Sequence, residues 1–219
     1  MTPNQVTAAR VAAAFLAVGV FAIFGQNAWA DATGVGLIIA AIALDALDGY
    51  LARIKNLATP VGAQFDILGD RIVENLFFTF FATTGLITLW VPVIFFARGS
   101  ITDFLRNFAA EAGRHGFAKN SMLETRWGRA LVASRASRVA YAGLKCLCFC
   151  WLGLEWTIAR SSTITLSASA EAWLDECGSL LTGATVLFCL VRAIPVLWEG
   201  RRFIGGLAPA TARPLGMSR

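Results

Sequence analysis

Charge is scarce in this sequence: only 15% of its 219 residues are charged, whereas 57% are hydrophobic. Soluble domains carry about one-quarter charged residues, so much of this chain must face a solvent other than water. Histidine occurs only once, and none accompanies Cys146, Cys148 and Cys150, which alternate within an apolar run. We interpret these cysteines as small apolar side chains rather than metal ligands or disulfide partners, and we expect Cys177 alone to be exposed, in a polar loop.

The apolar residues gather in runs long enough to cross a hydrocarbon core about 30 Å thick, which takes roughly 20 helical residues. No linker or internal repeat interrupts this pattern. The sequence therefore predicts one all-α domain over residues 1–219, a polytopic membrane protein with six transmembrane helices. The first span is expected to continue from a helix that begins near Pro3. The six predicted spans are Val11–Phe24, Gly34–Arg53, Asp66–Trp90, Val91–Ala112, Val139–Ile158 and Leu180–Trp198.

Lys and Arg residues concentrate in three segments: the links after the second and fourth spans, and the C-terminal tail. The opposite loops, Gln26–Thr33 and Arg160–Ser179, contain almost no cations. Because cytoplasmic loops are enriched in Lys and Arg, we expect both termini and the basic links to lie on the cytoplasmic side of the inner membrane. The net charge of +5 is assigned to this topology and to attraction for anionic lipid, not to nucleic-acid binding.

Four aspartates lie at the ends of two predicted spans, where a charged side chain is costly. Asp45 and Asp48 are three residues apart, so they share one face of the second span. Asp66 and Asp70 are four apart and share one face of the third span. The short link between these spans makes them antiparallel neighbours, so the acidic faces can meet in a polar cavity that faces the cytoplasm. Converging carboxylates repel one another, and Mg²⁺ or Mn²⁺ would relieve that repulsion.

Small residues flank these acids, among them Gly49 and Gly62. In a membrane, small residues let helices approach closely, or let a ligand lie against the backbone. Arg53 lies four residues after Gly49, on the same helix face, and its guanidinium could bind a phosphate through two hydrogen bonds. Metal ions, an arginine and a glycine-lined gap together indicate a pyrophosphate site. The alternative is that each aspartate is an ordinary helix end.

The segment Asp45–Asp70 carries a motif with eight fixed positions. It reads D-A-L-D-G-Y-L-A-R, then eight residues, then G-A-Q-F-D-I-L-G-D. This matches the signature D-x-x-D-G-x-x-A-R, eight residues, G-x-x-x-D-x-x-x-D, so the chain resembles the CDP-alcohol phosphatidyltransferase family of phospholipid biosynthesis. The resemblance implies an enzyme that transfers a phosphatidyl group from CDP-diacylglycerol to a small alcohol and releases CMP.

The resemblance also implies roles for individual residues. Asp45 and Asp66 would each contact both of two divalent metal ions. Asp48 would contact the first ion and Asp70 the second, and Asp70 would also be the general base that deprotonates the acceptor hydroxyl. The CDP moiety would be bound by the signature, by the loop between its two halves and by an N-terminal stretch similar to the family's P-N-x-x-T-x-x-R opening. These CDP-binding residues are Asn4, Thr7, Gly49, Arg53, Thr59 and Gly62.

The residues that would select the acceptor follow a less regular pattern. Arg98 and Arg106 lie in a stretch that resembles the fourth helix of glycerol-3-phosphate phosphatidyltransferases. Arg135 and Arg138 lie where that subfamily carries G-K-x-K-T, which this sequence does not keep, and they could instead face anionic lipid. Since cations suit a phosphorylated acceptor, glycerol 3-phosphate is the first expectation, with inositol phosphate, choline, serine and phosphatidylglycerol as alternatives. Asp103 is expected to pair with Arg106, three residues along its helix.

Two other classes of protein are consistent with part of the pattern. Intramembrane acids often line ion paths, so a divalent-cation transporter is an alternative, although the outer stretch Thr83–Trp90 contains no acid. A membrane scaffold would not require four aspartates at these intervals. The family resemblance adds the expectation of a homodimer.

Overall fold

The computed structural model describes residues 2–24, 27–54, 59–111, 123–161 and 165–204. The description of residues 3, 28, 46–54, 60, 110–111 and 202–204 is confined to the backbone. Apart from short connections, these ranges are helical, which confirms the all-α prediction. The helices are α1 (Pro3–Phe24), α2 (Ala28–Ile54), α3 (Pro60–Thr83), α4 (Trp90–Glu111), α5 (Arg126–Gly128), a π-helical turn (Arg129–Ala133), α6 (Arg135–Arg160) and α7 (Ala168–Ile204).

Long apolar helices dominate the described chain. Within it, three segments have the length and hydropathy to cross a membrane, namely Asn4–Phe24, Arg135–Arg160 and Ala168–Arg201. The chain divides into two compact units, unit 1 with residues 1–96 and 143–186, and unit 2 with residues 97–142 and 187–219. A membrane protein with several apolar helices is thereby supported, while the count of six spans stays a prediction.

The first helix begins where the sequence predicted. α1 starts at Pro3, because proline has a fixed φ suited to the first turn and lacks the N–H that would have no partner there. The predicted end of the third span at Trp90 is wrong, since α3 ends at Thr83, whereas α4 begins at Trp90, one residue before the predicted start of the fourth span. The hydroxyls of Thr83 and Thr84 donate to carbonyls one turn back at 2.7 and 2.8 Å. Gly85 follows with φ +86°, a conformation that glycine adopts without strain.

The last helix begins earlier than predicted. α7 starts at Ala168, not at Leu180, so most of the expected loop Arg160–Ser179 is helical. The backbone N–H of Ala170 donates to the carbonyl of Ser167 at 2.9 Å and to its hydroxyl at 3.3 Å. This serine cap stabilises the start of α7, whose first turns are polar.

The corrected helix boundary also changes the cysteine assignment. Cys177 lies within α7 rather than in a loop. It is partly exposed, but so are Cys146 and Cys150, whereas Cys148 is buried. The expectation that Cys177 alone is exposed was therefore wrong, because the apolar run that contains the other cysteines turns part of its surface outward.

Aromatic side chains form the centre of unit 1. Phe78 packs against Phe95 of α4 and Phe149 of α6, with ring centroids 4.4 and 4.7 Å apart. Phe77 lies 5.1 Å from the same Phe149 ring, and both α3 phenylalanines are almost fully buried. Between membrane helices, close packing of this kind supplies stability that hydrophobic burial alone does not.

A buried ion network joins α3 to α6 beside these rings. Glu74 is only 3% exposed and accepts a hydrogen bond from Arg71 at 2.8 Å. Lys145 of α6 donates to the other Glu74 oxygen. Both carboxylate oxygens are therefore paired, which a buried acid requires.

Lys145→Met is expected to destabilise the protein by about 1–3 kcal/mol, because one Glu74 oxygen then stays buried without its partner. Glu74→Gln should also destabilise the protein, and the two losses should not add in the double variant Lys145→Met/Glu74→Gln, since the bond between these side chains can be lost only once. Thermal unfolding of the detergent-purified variants measures both effects. A double variant whose loss equals the sum of the two single losses would contradict the pairing.

In unit 2, the predicted basic link contains secondary structure. The short α5 and the π-helical turn precede α6, which begins at Arg135 rather than at Val139. Glu199 of α7 is 1% exposed and accepts from the backbone N–H of Glu124 and the hydroxyl of Thr125. These buried tertiary hydrogen bonds hold the segment before α5 against α7, and no local sequence pattern predicts them.

Candidate active site

Three of the four predicted aspartates converge in unit 1. Asp45 comes from α2, and Asp66 and Asp70 come from successive turns of α3. One carboxylate oxygen from each lies within 4.8 Å of the others. The fourth, Asp48, belongs to α2, but its side chain lies outside the described residues. We call Asp45, Asp66 and Asp70 the acid cluster.

Arg10 of α1 lies against the acid cluster. Its guanidinium donates to Asp70 Oδ1 at 3.0 Å and to Asp66 Oδ1 at 3.2 Å, and it also contacts Asp45. A further bond reaches the Asp66 carbonyl at 3.3 Å. The Arg10 side chain is 3% exposed, whereas the three carboxylates are 44–50% exposed. One side of the cluster is thus closed by a buried cation, and the acids keep exposed surface.

The charge balance of this arrangement fits a divalent cation. One guanidinium offsets one of three negative charges, so the cluster keeps an excess of negative charge on hard oxygen atoms. Such oxygens are the ligands that Mg²⁺ and Mn²⁺ prefer, and the 4.8 Å spacing lets the three carboxylates approach one ion together. The acid cluster could therefore hold a metal ion.

Sequence reasoning missed the place of Arg10 in this site. Asn4, Thr7 and Arg10 recur at intervals of three residues, a spacing that puts successive residues near one face of a helix. That signal was available, but it does not say which helix the face meets. The contact with Asp66 and Asp70 on α3 depends on tertiary packing.

Gly69 permits this packing of α1 on α3. A Cβ at Gly69 would lie 2.7 Å from Thr7 Cγ2 and 2.8 Å from Arg10 Nη2. Thr7 itself is 2% exposed. The missing side chain therefore lets α1 approach closely enough for Arg10 to contact the neighbouring Asp70.

Gly69→Ala is expected to reduce turnover about 10- to 100-fold, because displacing α1 misplaces the groups around Asp70. Overpacking should also destabilise the protein by about 1–3 kcal/mol. Gly19→Ala on α1 is the matched control, since a Cβ there meets no atom within 4 Å. Equal turnover and thermal stability of the two variants would show that the close approach is unimportant.

Three of the expected CDP-binding residues lie together at the start of α3. Thr59 caps this helix and accepts from the Gly62 N–H at 3.0 Å. A Cβ at Gly62 would lie 3.0 Å from both Asn4 Oδ1 and Thr59 Oγ1. Two polar side chains thus border a position that only glycine leaves open. Gly49 and Arg53, which the resemblance also assigned to CDP, are described by their backbone alone, so their contacts lie outside the described part of the structure.

The four expected acceptor-binding arginines belong to unit 2. Arg98 is 9% exposed, and its Nε has no hydrogen-bond partner within the described chain. Arg106 donates to Asp103 at 3.3 Å, which confirms the predicted pair. Arg135 and Arg138 are exposed in the first turn of α6.

Two features define the class of this protein. Its helices are long and apolar, and aspartates from two successive helices converge in one cluster. The chain belongs to the CDP-alcohol phosphatidyltransferase family, which it matches over residues 1–168. This confirms the resemblance seen in the sequence.

Individual relatives carry two different names. The chain is 39% identical over 71 residues to a cardiolipin synthase (CMP-forming) of Oryza sativa subsp. japonica, which covers 32% of this chain and 21% of that protein. It is 29% identical over 108 residues to a CDP-diacylglycerol–glycerol-3-phosphate 3-phosphatidyltransferase of Rickettsia felis (strain ATCC VR-1525 / URRWXCal2), which covers 49% of this chain and 59% of that protein. The chain thus spans less than two thirds of either relative.

Proposed function

We propose that this protein transfers a phosphatidyl group from CDP-diacylglycerol to glycerol 3-phosphate and releases CMP. The observation that carries the proposal is the convergence of Asp45, Asp66 and Asp70, with one oxygen of each within 4.8 Å of the others. Family membership over residues 1–168 supports the reaction type. No comparison favours a transporter.

The acids are proposed to hold two divalent ions, Mg²⁺ or Mn²⁺. Asp45 and Asp66 would be ligands of both ions, Asp48 of one and Asp70 of the other. When bound, such ions would neutralise the pyrophosphate and make CMP a competent leaving group. The exposed surface of the three described carboxylates leaves them accessible to ions and substrate.

Asp70 is proposed as the general base. Its carboxylate takes the proton of the acceptor hydroxyl, and the acceptor oxygen attacks the β-phosphorus. A new P–O bond forms to the acceptor while the P–O bond to CMP breaks, so the phosphatidyl group changes partners and CMP carries away the electron pair. A positioned carboxylate base of this kind contributes about 10²–10⁴-fold to rate. Arg10, held against Asp66 and Asp70, orients the carboxylates.

The nucleotide is proposed to bind near the start of α3. Asn4, Thr59 and Gly62 already lie together there, with two polar oxygens beside an open backbone position. Thr7 packs one turn further along α1, against Gly69. Gly49 and Arg53 complete the proposed CDP-binding set from α2, with Arg53 as the phosphate ligand.

A phosphorylated acceptor is favoured by the cations of unit 2. The buried Arg98 has an unpartnered Nε, and both Arg98 and Arg138 lie within electrostatic range of Arg192. An anion would relieve this clustering of positive charge. Arg106 and Arg135 are the other proposed acceptor ligands. The Rickettsia relative is named for glycerol 3-phosphate, whereas the Oryza relative favours phosphatidylglycerol as the second candidate acceptor.

The proposed setting is the inner membrane. We infer one domain over residues 1–219 with six spans, both termini in the cytoplasm and a polar cavity that opens on that side. The distribution of Lys and Arg supports this orientation. A homodimer is also proposed, because homodimers are usual in the family.

Purified protein with CDP-diacylglycerol and Mg²⁺ tests the function when CMP release is scored against a panel of acceptors. Glycerol 3-phosphate is expected to give the fastest release, ahead of phosphatidylglycerol, inositol phosphate, choline and serine. Fastest release with phosphatidylglycerol would overturn the acceptor assignment and keep the reaction class. CMP release with none of them, together with uptake of divalent cations into proteoliposomes, would support a transporter instead.

A further inference from the structure

A short amphipathic segment of unit 2 precedes α6. It comprises residues 123–133, which include α5 and the π-helical turn. Its inward side chains Leu123 and Val132 are only 4% and 2% exposed, and they belong to one buried apolar cluster with residues of α4 and α7. One side of the segment is therefore fixed in the core of unit 2.

Two charged side chains of α7 hold the ends of this segment. Near its beginning, Glu199 accepts hydrogen bonds from the Glu124 N–H and the Thr125 hydroxyl. Near its end, the Arg192 guanidinium donates to the Leu131 carbonyl at 2.9 Å. Both α7 side chains are buried. An acid thus binds free N–H groups at one end and a cation binds free carbonyls at the other, which fixes the orientation of the segment.

The opposite side of the segment is cationic and aromatic. Arg126, Trp127 and Arg129 are exposed there, and Trp127 keeps 48% of its surface accessible. Within the described chain, neither guanidinium takes part in an ion pair. The exposed Glu124 offsets one of the two charges, so this side keeps a net positive charge. We call Arg126, Trp127 and Arg129 the basic face.

A second pair of the same kind lies near the end of α7, also in unit 2. Trp198, next to Glu199, is 52% exposed, and the Arg201 guanidinium lies over its ring, 3.9 Å from the centroid. Tryptophan is enriched at membrane–water interfaces because its ring is apolar and its N–H is polar. A guanidinium binds phosphate oxygens through two hydrogen bonds. The recurrence of both residue types on two neighbouring stretches therefore indicates contact with phospholipid headgroups.

We propose that the basic face binds anionic phospholipid headgroups at the cytoplasmic surface of the membrane. The guanidinium groups of Arg126 and Arg129 contact the lipid phosphates, and the Trp127 ring lies at the depth of the headgroups. Under the orientation proposed above, the link between α4 and α6 lies on the side of the membrane whose surface is negatively charged. The contacts that Glu199 and Arg192 make display the face in one fixed geometry.

The test follows the tryptophan fluorescence of the full-length protein in neutral detergent micelles as brominated phosphatidylglycerol is added. Bromine quenches tryptophans that lie close to the bound lipid, and brominated phosphatidylcholine, which has no net charge, is the control lipid. The difference between the unmodified protein and Trp127→Phe isolates the signal of Trp127. This signal is expected to be quenched at a lower mole fraction of phosphatidylglycerol than of phosphatidylcholine.

Arg126→Gln/Arg129→Gln should weaken the quenching of Trp127 by phosphatidylglycerol about 10- to 30-fold, since each arginine near an anionic surface contributes about fivefold. Quenching by phosphatidylcholine should not change. Arg126→Lys/Arg129→Lys is the matched control, because it keeps both charges and should retain most of the preference for the anionic lipid. Both arginines are exposed, so the variants should unfold at the same temperature as the unmodified protein.

Equal quenching of Trp127 by the two lipids would overturn the proposal, as would an undiminished preference for phosphatidylglycerol in the double glutamine variant. Displacement of phosphatidylglycerol by inorganic phosphate at constant ionic strength would also overturn it and assign the face to a soluble phosphate ligand. Each outcome is independent of CMP release and of the proposed function.

Discussion

Replacing Asp70 with asparagine is expected to lower CMP release roughly 10³-fold or more, because the variant loses both a proton acceptor and a metal ligand. The amide is nearly the same size as the carboxylate, so the packing of α3 is preserved. Asp70 is half exposed and bonded to Arg10, so loss of its charge leaves that guanidinium its contacts with Asp66 and Asp45. The defect should therefore appear in kcat, measured with saturating CDP-diacylglycerol and glycerol 3-phosphate.

The control for this experiment is a measurement of the thermal stability of the variant. Asp70→Asn should unfold within a few degrees of the unmodified protein, and Glu176→Gln, which removes an exposed charge, should keep normal turnover. If Asp70→Asn retained normal kcat, Asp70 would be neither the base nor a required ligand, and the proton would have to go to another group.

Arg10→Gln is the substitution with the second largest expected effect, a loss of about 100-fold in turnover because the bound carboxylates lose their orientation. Arg10 contacts all three acids. Without it, Asp45, Asp66 and Asp70 repel one another. The expected loss of stability in chelator is about 1–2 kcal/mol, a modest value because the carboxylates are half exposed and screened by water.

Mg²⁺ separates this electrostatic role from simple packing. If Arg10 offsets the charge of the acids, added Mg²⁺ should raise the Tm of Arg10→Gln more than that of the unmodified protein. Arg10→Lys should be intermediate, since an ammonium keeps the charge but lacks the planar fork. Arg129→Gln, at an exposed arginine, is the neutral control. An Arg10→Gln variant whose Tm does not change when Mg²⁺ is added would contradict the electrostatic account.

The acid cluster was the part of the site most accessible from sequence. Asp66 and Asp70 share a helix face whenever residues 60–83 are helical, and the short link to α2 brings Asp45 onto the neighbouring helix. Periodicity and chain connectivity therefore determine this geometry before any tertiary detail is known.

Other contacts depend on packing that the sequence does not display. The approach of Arg10 to α3 requires the open space at Gly69, a position that is variable in the family signature. The early start of α7 was missed because its first turns are polar, and its cap at Ser167 looked like part of a loop. The buried Glu155 carboxylate likewise fits against α7 only because Gly178 has no side chain there.

The central claim is that converging aspartates bind divalent cations that phosphatidyl transfer requires, and its most direct test is the rate of CMP release as Mg²⁺ is removed and restored. With CDP-diacylglycerol and glycerol 3-phosphate present, the rate should fall to background in EDTA and return on addition of excess Mg²⁺ or Mn²⁺. Asp66→Asn should stay inactive at every Mg²⁺ concentration. Undiminished release in EDTA, or normal release from Asp66→Asn, would contradict the account.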